Sequence, residues 1–303
     1  APIELGATWL VEQQTSALEL LEELNISVFE QNYGSTAIYH PNGIKNAQLV
    51  NLPKNDSKSF RIAGGTSMLI NTLAKTLNKA SIKTNQQITS IKQLDNALIA
   101  SANNSIYKCK FIVSTLPPLL LSKTITIEPE LPNDIVKLMS KTHTWMQDSI
   151  RVGLRYSTPF WEADNTTGTI YSGVGPIQEF YDHSDSQKNT YALSGFINGN
   201  LSEVSKEDRK HLILKQLQSY YGAVAIDYIS YEECVWKQER YTTTESADFL
   251  LPQTNNGHPL YQNIFLNNRF FIASAETSSI FSGKMEGAIT SAKTVFKKLK
   301  TLL

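Results

Sequence analysis

Apolar residues recur at helical spacing at the end of the chain. Ala288, Ile289, Ala292, Val295, Phe296, Leu299 and Leu302 share one face, with Lys293, Lys297, Lys298 and Lys300 on the other. The pattern predicts a packed closing helix that begins within 282–288. Just before it, Arg269–Ala273 is a short apolar run of strand type, broken by the small polar stretch Ser274–Ser279. Other helical stripes are Ala17, Leu18, Leu21 and Leu24 within Gln13–Asn25, and Leu69, Ile70, Leu73 and Leu77 behind a cap at Thr66 or Ser67. Pro132–Lys141 is a helix begun by proline. Ser205 and Asp208 have capping-box spacing ahead of Ile213, Leu217 and Tyr220, and Gly222 ends that helix.

Strand patterns fill the rest. Short pieces run from Val28 to Pro53, punctuated by Gly34 and Pro41-Asn42-Gly43. Ile88–Gln93, Ala97–Ala102 and Ile106–Val113 read as a three-stranded meander turning at Asp95-Asn96 and Asn103-Asn104. Phe111–Leu116 is a buried strand stopped by Pro117-Pro118. Ser149–Tyr156, Thr167–Ser172, Ile177–Asp182, Tyr191–Ile197 and Tyr228–Val235 follow, the middle three an antiparallel set because their connections are short.

Composition narrows the function classes. At 303 residues the chain suits two domains or one large one, and Lys plus Arg equals Asp plus Glu at 28 each, so no global pull toward nucleic acid or an anionic membrane is expected. The run Lys206–Lys210 reads as a solvated helix face. Cys109 and Cys234 have neither metal-ligand spacing nor disulfide-scaffold density, which points to ordinary strand residues in a reducing, cytoplasmic setting. The histidines lack metal spacing, so no metal site is expected, and no apolar run approaches the roughly 18 residues of a membrane span. No G-x-S-x-G anchors a serine nucleophile, and no G-x-G-x-x-G offers a dinucleotide phosphate turn.

Several motifs, in order along nearly the whole chain, resemble FAD-dependent amine oxidases of the monoamine oxidase type. They are Glu4-Leu5-Gly6-Ala7-Thr8-Trp9, Gly64-Gly65 before a helix, Pro117-Pro118 after a strand, Pro159-Phe160-Trp161, Trp236 followed by Tyr241-Thr242, and strand, Ala-x-x-Glu-Thr, then Gly283-Lys284-Met285-Glu286-Gly287-Ala288. The resemblance implies an α/β, Rossmann-like FAD-binding portion at 1–10, 61–118 and 255–303, interleaved with an α+β substrate portion at 11–60 and 119–254. It implies that the first βαβ unit lies upstream of residue 1 and that the chain is a fragment. By the same resemblance Gly6, Ala7, Thr8, Ile88, Trp236, Glu276, Met285 and Ala288 bind the cofactor, Ile88 through its backbone at the adenine. The closing helix would aim its positive end at the flavin.

The implied reaction is oxidation of a small-molecule amine by hydride transfer to FAD, with O₂ as reoxidant. Arg151 stands where the family often has a lysine that holds water near the flavin, and Lys284 replaces a tyrosine of the aromatic cage. Both are candidate catalytic residues, and Lys284 would favour an anionic or neutral substrate unless it points outward. Family G-T-E-T becomes Ser274-Ala275-Glu276-Thr277, and Glu245 takes the position of the flavinylated cysteine of some members, so FAD would be non-covalent and is expected to bind this fragment weakly or not at all. A degenerate member that binds a ligand or partner without turnover stays open as the alternative, and a carotenoid-desaturase-like or porphyrinogen-oxidase-like enzyme is disfavoured by the lack of long apolar elements.

Overall fold

A computed structural model describes residues 3–54, 57–163, 166–244 and 250–303. In chain order the strands and helices are β1 (Trp9–Val11), α1 (Thr15–Glu23), β2 (Val28–Glu30), β3 (Thr36–His40), β4 (Gln48–Asn51), β5 (Ser59–Ile62), α2 (Thr66–Thr76), β6 (Ile88–Gln93), β7 (Leu98–Ala102), β8 (Ser105–Cys109) and β9 (Ile112–Ser114). There follow α3 (Pro118–Thr124), β10 (Thr126–Glu128), α4 (Asn133–Ser140), β11 (Ile150–Tyr156), β12 (Ile170–Ser172), β13 (Ile177–Asp182), β14 (Tyr191–Ile197), α5 (Lys206–Tyr221), β15 (Ser230–Val235), β16 (Phe270–Ile272) and α6 (Met285–Lys300). The chain divides into two compact units, each drawn from three separated stretches.

The first unit comprises Ala1–Gln13, Leu20–Leu73 and Asp148–Lys237. Its main sheet has seven strands in the order β15-β11-β14-β13-β12-β3-β4. One face is the core, where Ile150, Val152 and Leu154 of β11, Ile170 of β12, Phe180 of β13 and Leu193 of β14 meet Ile213 and Leu217 of α5. Trp161, from the Pro-Phe-Trp segment, is fully buried in the same core. The Ser205 hydroxyl accepts a hydrogen bond from Asp208 N at 3.1 Å, as the capping spacing predicts. The charged run behind it is not wholly solvated. Arg209 is buried, donating from Nη2 to Glu233 Oε1 at 2.6 Å and from Nη1 to the Leu201 carbonyl at 3.0 Å, because the first helical turn points its guanidinium at β15. A three-stranded antiparallel sheet, β1-β5-β2, completes the unit.

The second unit comprises Gln14–Glu19, Ala74–Gln147 and Gln238–Leu303. The β6-β7-β8 meander is joined by β10, parallel to β6. Its core unites Ile91, Leu98, Leu121, Ile135, Met139, Tyr261 and Phe270. The expected strand Ile106–Val113 is two strands in two sheets. β8 ends at Cys109, and Ile112 N then donates to Arg269 O at 2.9 Å, starting the parallel pairing of β9 with β16. The two prolines stop β9, yet Pro118 also opens α3, whose Leu119, Leu120 and Leu121 are buried. The closing helix begins at Met285, later than 282, and its Phe296 faces outward.

Two stretches show what holds each unit together. Residues 61–73 go with the first because β5 pairs with β1 and β2, and 119–147 go with the second because Leu121, Ile135 and Met139 pack on the meander. Of the stripe expected to pack on α2, Leu69 is buried, while Ile70 and Leu77 are 60% and 56% exposed.

Candidate functional site

In the first unit, residues 3–8 are fastened by a buried ionic cluster. Glu4 Oε1 accepts from the Thr66 N–H at 2.7 Å and the Thr66 hydroxyl at 2.6 Å, so a carboxylate already occupies the α2 N-terminus. Glu4 Oε2 lies 3.6 Å from Arg61 Nε and 3.7 Å from His183 Nε2. His183 Nε2 accepts from the Glu4 N–H at 3.2 Å, and burial first, with Arg61 and Arg151 nearby, pushes the imidazole pKa well below its usual value. Arg61 donates to the carbonyls of Ser184 and His183 at 2.9 and 3.2 Å. No sequence spacing links residues 4, 61 and 183, and this trio was not legible beforehand.

The Gly6–Thr8 turn that follows meets two residues expected beside it. A Cβ on Gly6 would lie 3.2 Å from Trp236 Cζ2, and Trp236 Nε1 donates to Leu5 O at 2.8 Å. Arg151 Nη2 donates to the Thr8 hydroxyl at 3.3 Å, while Trp9 and Phe196 each stack on its guanidinium at 4.4 Å. Ala7 is exposed and its carbonyl accepts from Thr66 Oγ1 at 2.6 Å. Gly6, Ala7, Thr8, Arg151 and Trp236 are thus neighbours within one unit. Burial lowers the Arg151 pKa to about 10, against the field of Glu4, so the group stays cationic at neutral pH. It can hold an oxygen ligand by donation, and it cannot act as a base. Its buried Nε has no hydrogen-bond partner among the described residues.

In the second unit the loop after β16 folds against the start of α6. Gly283 N donates to Ala275 O at 3.0 Å. A Cβ on Gly287 would come within 2.5 Å of Phe281 O and 3.0 Å of Ala275 O, so this close approach needs glycine. Lys284 is the N-cap in extended geometry, and no side chain caps the helix. Lys284 itself is exposed, its ammonium 5.9 Å from the centre of the Phe281 ring, as the outward alternative anticipates. Met285 opens the helix half-buried and Ala288 is exposed. Glu276 is buried, and burial raises its pKa against hydrogen bonds from backbone N–H groups. The Glu286 carboxylate turns to α1, accepting from Ala17 N at 2.7 Å and Ser16 N at 3.1 Å.

Ile88 lies elsewhere in this second unit, at the edge of a cavity of about 640 Å³ lined also by Ser114, Leu116, Leu120, Arg240 and Tyr241. The buried Ser114 hydroxyl has no hydrogen-bond partner among the described residues. Glu245 falls outside the described residues.

The family model for Flavin containing amine oxidoreductase matches residues 46–295. The chain belongs to this family. A Dictyostelium discoideum protein, "Probable flavin-containing monoamine oxidase A", is 30% identical over 250 residues, covering 80% of this chain and 54% of the relative. Human "Amine oxidase [flavin-containing] B" is 26% identical over 259 residues, covering 81% and 48%. The chain therefore spans about half the length of these curated relatives. Among solved structures, cyclohexylamine oxidase from Brevibacterium oxydans superposes with a TM-score of 0.84 at 14% identity, covering 100% of this chain and 88% of that one. Putrescine oxidase bound to putrescine gives 0.83 at 16%, covering 99% and 88%. The fold of this chain is thus that of its structural neighbours, a mixed α/β architecture with several sheets.

The side chains fit the family's FAD unevenly. The uncapped N-terminus of α6 presents backbone N–H groups suited to a ring that gains negative charge on reduction. The α2 N-terminus, after Gly64-Gly65, is closed to phosphate by Glu4. The described residues include no G-x-G-x-x-G turn that would cradle a pyrophosphate.

Proposed function

We propose that this chain is part of an FAD-dependent amine oxidase with non-covalent flavin. The observation that carries the reading is the meeting of the Gly6–Thr8 turn, Arg151 and Trp236, three stretches far apart in sequence, through the contacts at Leu5, Gly6 and Thr8. When bound, FAD supplies the acceptor for a hydride equivalent from the amine-bearing carbon and returns the electrons to O₂. In this reading the cofactor residues of the first unit are Gly6, Ala7, Thr8 and Trp236, and those of the second are Glu276, Met285, Ala288 and, for the adenine, Ile88. Arg151 fixes a water or substrate oxygen through its guanidinium donors. The cofactor role falls to the Rossmann-like portion 1–10, 61–118 and 255–303, and the substrate role to 11–60 and 119–254. An amine substrate agrees with the putrescine and cyclohexylamine oxidases of the same fold. The low cysteine count, Cys109 and Cys234 alone, supports a reducing, cytoplasmic setting.

The test needs a protein that joins this chain to a strand-G-x-G-x-x-G-helix segment. Anaerobic amine should bleach its oxidised-flavin absorbance and O₂ should restore it, with both rates depressed in Arg151→Met. Unchanged rates in that variant would remove Arg151 from catalysis. Flavin that stays oxidised with every amine would favour the second reading, a binding protein without turnover, which the exposed Lys284 supports. The chain by itself should elute from gel filtration without stoichiometric FAD, since it holds no G-x-G-x-x-G turn for the pyrophosphate and Glu4 already occupies the α2 N-terminus.

A further inference from the structure

Residues 3–8 carry the Gly6–Thr8 turn and are fastened along their length within the first unit. Ile3 fills the space over Gly153, where a Cβ would lie 2.3 Å from its Cγ2. The Leu5 carbonyl accepts from the Trp236 indole, and the Thr8 hydroxyl accepts from Arg151. Between them the Glu4 main-chain N–H donates to His183 Nε2 at 3.2 Å. A backbone N–H can only donate, so Nε2 carries a lone pair and the imidazole is neutral. The ring is 3% exposed and its own main chain is pinned, with the N–H donating to Ala192 O at 2.7 Å and the carbonyl accepting from Arg61 Nη2 at 3.2 Å. His183 is a fixed acceptor.

The Glu4 side chain supplies the second position of this contact. Oε1 is spent on the Thr66 N–H and hydroxyl, whereas the buried Oε2 has no hydrogen-bond partner among the described residues and lies 3.7 Å from the same Nε2. Arg61 Nε, 3.6 Å from Oε2, has none either. A proton on Nε2 turns it from acceptor into donor. It must then drop the Glu4 N–H, and the acceptor within reach is Oε2 of that residue. One side chain thus exchanges the main chain of Glu4 for its carboxylate, a bistable contact. The charged groups around the ring are Glu4, Arg61 of β5, Arg151 of β11 and Asp182 of β13. Burial and the two arginines oppose the proton. Asp182 is turned to its own hairpin, where Oδ1 accepts from Ser184 N at 2.7 Å, which leaves Glu4 as the group that answers it.

We propose that His183 is a positioning residue of the site: as a neutral acceptor it holds Glu4 and the Gly6–Thr8 turn in place, and taking up a proton releases them. Resting on the amine oxidase reading, the cofactor-side turn is then intact only where an amine can also shed its own proton, so acid disables both together.

The ¹⁵N-labelled chain is followed by NMR from about pH 8 to about pH 4, with circular dichroism at each step. The reporter is the Trp236 indole N–H, identified by its loss in Trp236→Phe. Its resonance should shift below about pH 6.5 while the circular dichroism stays native, and the amides of residues 4–8 should exchange roughly tenfold faster there than in His183→Gln at the same pH. Glutamine keeps an acceptor oxygen and does not titrate, so that variant should show no inflection. Asp182→Asn should keep it. A resonance that holds constant until the circular dichroism collapses, or that moves alike in His183→Gln, overturns the proposal. In a flavin-loaded protein joined to a strand-G-x-G-x-x-G-helix segment, acid should speed FAD release more in wild type than in His183→Gln. An inflection without that difference would sink the flavin role of the turn and leave the clasp standing, whereas the difference without the inflection would do the reverse.

Discussion

Glu286 lies inside the Met-Glu-Gly-Ala motif, yet its carboxylate serves α1. It accepts from the Ala17 and Ser16 N–H groups at 2.7 and 3.1 Å, and it is only 2% exposed. Those donors belong to the first turn of α1, where no intrahelical acceptor exists. Glu286→Ala removes two charge-assisted hydrogen bonds, each worth about 1.5–3 kcal/mol. Ser16 is half-buried, so water can replace part of its bond, whereas Ala17 is buried and its N–H would stay unpaired. The expected cost is about 2–4 kcal/mol. Glu286→Gln keeps one acceptor oxygen but turns an amide NH₂ toward a second donor, and should cost about half as much. Hydrogen exchange followed by mass spectrometry on a peptide spanning 14–24 reads this directly, because 2–4 kcal/mol corresponds to roughly 30- to 1,000-fold faster exchange. Urea unfolding gives the global value. An alanine variant within about 0.5 kcal/mol of wild type, with unchanged exchange in α1, would refute the argument.

Three further outcomes follow from the buried groups. His183 has a depressed pKa when folded, so the unfolded chain takes up the proton first; stability should be intact above about pH 6.5 and fall below it by up to about 1.4 kcal/mol per pH unit, a slope that urea titrations should find missing in His183→Gln. Arg209→Met should cost about 3–5 kcal/mol by stranding the buried Glu233, with most of the loss recovered in the Arg209→Met, Glu233→Gln double variant; a double variant no more stable than the single one would contradict this. Gly195→Ala forces a Cβ onto the Glu179 carbonyl of the neighbouring strand and should lower the thermal midpoint by more than any exposed-loop Gly→Ala, such as Gly43→Ala, where no atom lies within 4 Å.

Legibility in the sequence followed the range of the interaction involved. Helices α1, α5 and α6 were visible because a local apolar stripe defines each of them, joined in α5 by a local cap at Ser205. The split of Ile106–Val113 was not, because only the partner strand, 157 residues beyond Ile112 at Arg269, tells the chain to leave one sheet for another. Leu119–Leu121 were hidden for a related reason: Pro117-Pro118 signals an end to a strand, and the second proline is equally a good first residue of a helix. Arg209 read as surface because a lone charge in a charged run carries no mark of its buried partner on β15. On the site side, the order of motifs identified Gly6–Thr8, Arg151 and Trp236, and the fold brings these together. It could not identify Glu4, Arg61 and His183, whose pairing exists only after three stretches fold on one another.

Two glutamates that lie within the family-like motifs act as helix caps. Glu4, beside the Gly6 turn, holds the first N–H of α2, and Glu286, in the last motif, holds α1. A carboxylate spent on one helix N-terminus is unavailable for ribose or flavin, and the capped helix is unavailable for phosphate. Helix α6 differs, because its own acid faces away and its N-cap is a lysine without a side-chain bond. The Met-Glu-Gly-Ala motif thereby does two things with adjacent residues: Gly287 lets the turn lie against Ala275 and Phe281, and Glu286 steadies it without covering its N–H groups. An open, positively polarised terminus held in place from behind is the arrangement that stabilises charge arriving from outside the chain. The flavin role proposed for the motif therefore rests on the terminus it leaves uncapped as much as on what its side chains touch.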